Sequence, residues 1–188
     1  GLGDVYKRQD IGLKSGLVKI INKLEKIKGL LRIRLSSIEA ADISDELIDS
    51  LTESPILCPH LHIPFQSADD QILKRMNKTL RRDDYLRLIS RLRKRISNFA
   101  LTADIMVGFP GEKEYQFKNT VDFIRQARLL KVHIFPYSKR EGTEAYSFKE
   151  AVPQHIIKQR LEYLEGLCRE VSLDFRRDFI GRRLEVLI

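Results

Sequence analysis

Four short segments of this chain share one pattern, and it restricts the fold more than any other feature. They are Arg32-Ile-Arg-Leu-Ser-Ser-Ile-Glu39, His60-Leu-His-Ile-Pro-Phe-Gln-Ser67, Asp104-Ile-Met-Val-Gly-Phe-Pro-Gly-Glu112 and His133-Ile-Phe-Pro-Tyr-Ser-Lys-Arg-Glu-Gly-Thr143. Each opens as a strand and closes in polar, Gly or Pro residues. Helical patterns separate them. Strands alternating with helices imply parallel pairing through crossover connections. In such folds the chemistry sits at the carboxy-terminal ends of the strands.

Apolar spacing predicts helices over residues 15–28, 83–97, 113–130 and 153–179. Ser44 or Asp42 can cap another helix running to Leu51, and Asp69 and Asp70 suit the start of one carrying Ile72, Leu73 and Met76. Strands are predicted over 32–37, 60–64, 100–107, 132–136 and 183–188. Alternation then divides each strand into two faces. Leu61, Ile63 and Phe65 oppose His60, His62 and Gln66. Leu101, Ala103, Ile105 and Val107 oppose Thr102, Asp104 and Met106, while Ile33 and Leu35 oppose Arg32, Arg34 and Ser36. The apolar faces belong under the helices. The polar faces would line a shared lumen. A closed barrel fills its lumen with branched apolar side chains, so a polar one suggests a partly open barrel around a ligand.

The net charge of +8 is local. Residues 72–97 carry ten Lys and Arg against Asp83 and Asp84, a surplus equal to that of the whole chain. Arg91, Arg93, Lys94 and Arg95 form its densest part and are candidates for contact with nucleic-acid phosphates. A solvated helix face is the alternative. Only Tyr85 interrupts the run, so base stacking is not signalled. No apolar run reaches the ~18 residues of a membrane helix. Cys58 and Cys168 are the only cysteines. They form no disulfide framework, which suits a reducing, cytoplasmic setting. Cys58, His60 and His62 share period two and could offer three zinc ligands, but no fourth is evident. The alternative is a small buried thiol beside two pocket histidines. Gly108-Phe-Pro-Gly-Glu112 is neither a P-loop nor a dinucleotide fingerprint. Its glycines would allow a ligand close to the backbone, or simply form a turn. Residues 1–9 do not join naturally to the rest of the chain and resemble a translated sequencing-adapter scar.

Taken in order, the four segments, with Leu73-Lys-Arg-Met-Asn77 between them, resemble the radical S-adenosylmethionine methylthiotransferases. Segments 32–39 and 133–140 incline the resemblance to the branch acting on threonylcarbamoyladenosine in tRNA. The siblings acting on isopentenyladenosine or on a ribosomal protein are the alternatives, with a cluster-less tRNA-binding module as a further one. The resemblance implies an α/β fold: the carboxy-terminal half of a partial (β/α) radical-SAM barrel over residues 10–150, a helical connection over 151–181, and the first strand of a small β tRNA-binding domain over 182–188.

The family's two [4Fe-4S] clusters would need cysteines absent from this chain, so these residues alone are expected to be inactive. Expected partners are S-adenosylmethionine, tRNA, a reductant and a sulfur source, with the protein a monomer. By resemblance, Ser36 and Glu39 would lie near the ribose or methionine part of S-adenosylmethionine. His62, Gln66 and Ser67 would close the lumen beside it, and Gly108, Phe109 and Pro110 would lie near the adenine. Arg140 would join the basic helix in binding nucleic acid. The sequence departs from the family pattern at Ala68, usually glycine, where a loop would tighten.

Overall fold

A computed structural model of the chain describes residues 16–184. Three strands form a parallel sheet in the order β1 (His60–Gln66), β2 (Ala100–Val107), β3 (Lys131–Pro136). Six helices accompany them: α1 (Gly16–Leu24), α2 (Asp45–Glu53), α3 (Asp70–Arg75), α4 (Arg82–Arg95), α5 (Glu114–Ala127) and α6 (Gln154–Arg177). The expected α/β architecture is present. β1 and β2 alternate strictly between buried and half-buried residues, as the sequence pattern requires. Leu61, Ile63, Phe65, Leu101, Ala103 and Ile105 are fully buried beneath the helices. Phe65, Tyr85 and Phe123 pack edge-on or tilted at the centre of that layer, joining β1, α4 and α5.

The segment predicted as a first strand at 32–37 is not a continuous strand. It touches β1's side of the sheet at two isolated parallel bridges, Ile33 with Leu57 and Ser37 with His62. Four steps along one chain therefore match five along the other. The surplus residue is absorbed at Pro59, which has no N–H to donate. There the His60 N–H turns back to the Cys58 carbonyl at 2.7 Å, a three-residue turn. The segment still occupies the sheet's outer position beside β1.

Local signals account for most boundaries. The Ser44 hydroxyl accepts from Leu47 N–H at the start of α2, and Asp69 Oδ1 accepts from Gln71 and Ile72 N–H at the start of α3. α5 stops at Arg128, which takes the left-handed conformation (φ 42°). α1 is shorter than predicted. After Leu24 the chain tightens into turns with i to i+3 bonds, such as Ile27 N–H to Leu24 O at 3.0 Å. Of its predicted apolar stripe only Ile21 is buried, while Leu17, Ile20 and Ile27 are exposed. α6 packs on β3 and α5, so it covers the sheet in addition to leading onward. Ala68, buried, has no positive φ and needs no glycine. Arg183 and Leu184 form no strand. The rest of the predicted last strand, and the segment at residues 1–9, lie outside the described residues. No described helix is long and apolar enough to cross a membrane.

Candidate functional site

At the carboxy-terminal ends of the three strands lies a cavity of about 730 Å³. Gln66 ends β1, Met106 lies on β2, and Phe135 and Tyr137 continue β3 into its wall; Lys78 and Arg140 add cations. A volume of this order holds a small molecule. Gln66 is the unusual residue. The β1–β2 register shifts between Ile63 and Gln66, and Gln66 adopts φ 68°. Non-glycine residues pay about 1–2 kcal/mol for that conformation. Its Oε1 is buried and has no hydrogen-bond partner among the described residues. Strain combined with an unsatisfied acceptor at a cavity wall marks a position shaped for something other than stability.

The same twist separates Gln66 from its neighbour. Ser67 points the other way, is 1% exposed, and belongs to a buried polar knot. Its Oγ lies 3.4 Å from Thr120 Oγ1 and accepts from Asp69 N–H. Asp69 in turn receives Gln116 Nε2 at 3.1 Å and Asn119 Nδ2 at 2.7 Å. Ser67 therefore ties the end of β1 to α5 and does not line the cavity. Glu39 reaches the cavity indirectly: Lys78 Nζ holds both of its carboxylate oxygens, at 3.1 and 2.9 Å, and also the Pro64 carbonyl.

The glycine turn after β2 is met by protein side chains where its glycines lack a Cβ. A Cβ on Gly108 would lie 2.7 Å from Ile157 of α6, and one on Gly111 would lie 2.2 Å from the Arg75 guanidinium. Both take positive φ. Their smallness admits protein side chains. Gly108 N–H donates to Glu112 Oε2 at 2.9 Å, and Arg160 of α6 donates to the same oxygen at 2.9 Å. Burial pushes the Glu112 carboxyl above its ordinary range, with the Gly108 N–H and the Arg160 charge opposing that shift. Pro110 is buried. Phe109 alone of this trio lines the cavity, its ring edge-on to Tyr137 and Phe148.

Lower on the sheet, the polar face is one hydrogen-bonded row. Thr102 Oγ1 lies 3.0 Å from His60 Nε2 and 2.9 Å from His62 Nδ1. His62 Nε2 lies 3.0 Å from Asp104 Oδ2, and the His133 ring stands edge-on to His62 at 5.7 Å. Burial lowers the His60 pKa, with Arg34 and His62 adding to the effect. Ser36 is exposed. Thr102, Asp104 and His133 were not among the residues assigned by resemblance. Their shared parity on adjacent parallel strands was the available signal. Cys58 borders a different groove at the opposite ends of the strands, with Leu57, Ala100 and Phe175. No group of three or more potential metal ligands occurs among the described residues.

The basic helix is largely engaged with the protein itself. Arg91 and Arg95 face Asp45, and Arg95 also pairs with Asp49. Arg93 donates to the Ala127 and Arg128 carbonyls at 2.6 and 3.0 Å, capping α5 at its negative end. Lys94 is exposed. Arg140 stands apart from them, on the cavity wall.

The model of the Radical SAM superfamily matches residues 9–124. This chain belongs to that superfamily. Among its curated relatives, tRNA-2-methylthio-N(6)-dimethylallyladenosine synthase 1 of Mycobacterium marinum is 40% identical over 93% of this chain and 33% of its own length. Threonylcarbamoyladenosine tRNA methylthiotransferase MtaB of Thermotoga maritima is 38% identical over 95% of this chain and 41% of its own length. The radical SAM chain thus spans between a third and about two fifths of those relatives, and the resemblance to tRNA methylthiotransferases read from its motifs is borne out. In fold it is similar to the radical SAM enzyme coproporphyrinogen III oxidase (HemN) of Escherichia coli, with TM-score 0.69 and 14% identity over 85% of this chain and 38% of that one. It is also similar to Elp3 of Methanocaldococcus infernus, with TM-score 0.57 and 18% identity over 71% of this chain and 32% of that one.

Proposed function

We propose that this chain forms the ligand-facing wall of a tRNA methylthiotransferase, over residues 10–150, with 151–181 continuing toward a tRNA-binding β domain. The observation that carries the reading is Gln66: a strained residue on the wall of the cavity at the strand ends, whose buried side-chain oxygen has no partner among the described residues. The cavity's volume, that acceptor, the Lys78 cation and the Phe109 ring fit a small polar ligand with an aromatic part, as S-adenosylmethionine is. Gln66 and Phe109 would contact it directly, with Glu39 acting through Lys78. Ser36 and His62 would border it from the polar face, whereas Ser67, Gly108 and Pro110 would shape the wall from behind.

An iron–sulfur cluster does not fit the residues present. A [4Fe–4S] site needs several thiolates, and the chain has two cysteines. Burial pushes the Cys168 thiol up to about 11, away from the thiolate a metal requires. We therefore place the cluster ligands in protein outside these 188 residues and expect no reductive chemistry from them alone. The cofactors supply the radical reaction in the whole enzyme; these residues bind, orient and exclude water.

Among nucleic-acid contacts, Arg140 at the cavity is the best placed. Arg91, Arg93 and Arg95 are engaged within the fold, which leaves Lys94 as the freest of these four.

For the target base we favour threonylcarbamoyladenosine, on segments 32–39 and 133–140 and the 38% identity to the Thermotoga protein. The 40% identity to the Mycobacterium protein favours dimethylallyladenosine as the second reading. Mass spectrometry of tRNA nucleosides from cells lacking the gene decides between them. Loss of the methylthio group from threonylcarbamoyladenosine supports the first, and loss from dimethylallyladenosine the second. Unchanged methylthio nucleosides would overturn both.

A further inference from the structure

The row on the polar face has a direction, and the chemistry of its ends fixes it. A carboxylate only accepts, so the His62 Nε2 that faces Asp104 Oδ2 at 3.0 Å carries a hydrogen. In a neutral imidazole the other nitrogen is then bare. His62 Nδ1 must therefore accept from the Thr102 hydroxyl, 2.9 Å away. A hydroxyl has one hydrogen. With it directed at His62, Thr102 Oγ1 offers only lone pairs to His60, whose Nε2 donates across 3.0 Å. His60 Nδ1 is left bare. It is also the ring nitrogen that is buried with no hydrogen-bond partner. The opposite polarity would put an N–H at that position without an acceptor, the costlier outcome.

We infer that Asp104 is a positioning residue: its carboxylate fixes His62 as the Nε2–H tautomer, which turns the Thr102 hydroxyl toward His62 and sets His60 as Nε2–H in turn, while Oδ1 is left as the acceptor offered on the open face of the sheet. The groups around the row are Arg34 beside His60, the His133 ring edge-on to His62, and Lys131 paired in register with Thr102. The face then selects a ligand that brings a donor to Asp104 over one that brings only acceptors. That consequence rests on the open face being the ligand side. The tautomer assignment does not.

Histidine labelled with nitrogen-15, in the full chain above the histidine titration range, reads the tautomers without any ligand. His60 and His62 are both expected as Nε2–H. Asp104→Leu removes the acceptor, so His62 should become a mixture of tautomers; Asp104→Glu should restore the single form. Thr102→Val should leave His62 as Nε2–H, because Asp104 still accepts from it, while His60, cut off from the row, should become mixed. The inference is overturned if His62 stays wholly Nε2–H in Asp104→Leu, or if wild-type His60 carries its hydrogen on Nδ1. Should the amide spectrum show Asp104→Leu unfolded, the wild type and Thr102→Val carry the test, and a changed His62 tautomer in the latter overturns it.

Discussion

At the scale of single residues, two positions set stability against another purpose. Gln66 combines a left-handed backbone with a buried unpaired acceptor. Gln66→Gly relieves both and returns part of the gain as unfolded-state entropy. Urea denaturation should show the variant more stable by up to about 1 kcal/mol, while under the proposed function binding of S-adenosylmethionine to the whole enzyme should weaken. Equal or lower stability would mean that the strain is absent. His60 is the second. Burial holds its folded pKa below the unfolded value of 6.5. Between those values the unfolded chain binds more protons, so stability rises with pH there and is lost as pH falls below 6.5. Urea midpoints measured across that window should fall on acidification, and His60→Gln should flatten the slope. A slope unchanged in His60→Gln would assign the effect to another group.

At the scale of elements, the glycine turn shows what a sequence can and cannot disclose. Its glycines read as a place for close approach of a ligand or as a plain turn, and in the structure the groups that come close are protein side chains. The partners are Ile157 and Arg75, 49 and 36 positions away, and no local pattern reports them. Gly108→Ala combines a strained φ with overpacking and should destabilise by about 2–3 kcal/mol. Adding Ile157→Val should recover only the packing share, as the double-mutant unfolding free energy would show; full recovery would remove the backbone argument. The basic helix failed to disclose itself for a similar reason. Its charge count is plain in the sequence, yet Arg93 finds its carbonyls on the far end of α5, and Arg91 and Arg95 find their carboxylates on α2. Strand parity was legible throughout, because alternation is local. The Gln66 twist was not, because it depends on how β1 registers against β2.

At the scale of the molecule, the parallel order follows from the strand–helix alternation and the polar face from alternation along each strand, and the superfamily match agrees with the parallel α/β fold. The placement of the cations changes the expected RNA footprint. Under the proposed function, Arg140→Ala in the whole enzyme should weaken tRNA binding several-fold and reduce the slope of log affinity against log salt by about one contact. Replacing Arg91 and Lys94 together should do less. A larger loss from the α4 pair would return the interface to that helix.

The ion pair between Arg160 and Glu112 carries one more consequence. Gly108 N–H is donated to a buried carboxylate that α6 itself holds in place. Solvent deuterium can reach that amide only when α6 separates from the turn or the whole domain opens. The Gly108 amide is thus a built-in clock for the docking of α6, and its exchange reports how readily that helix lets go.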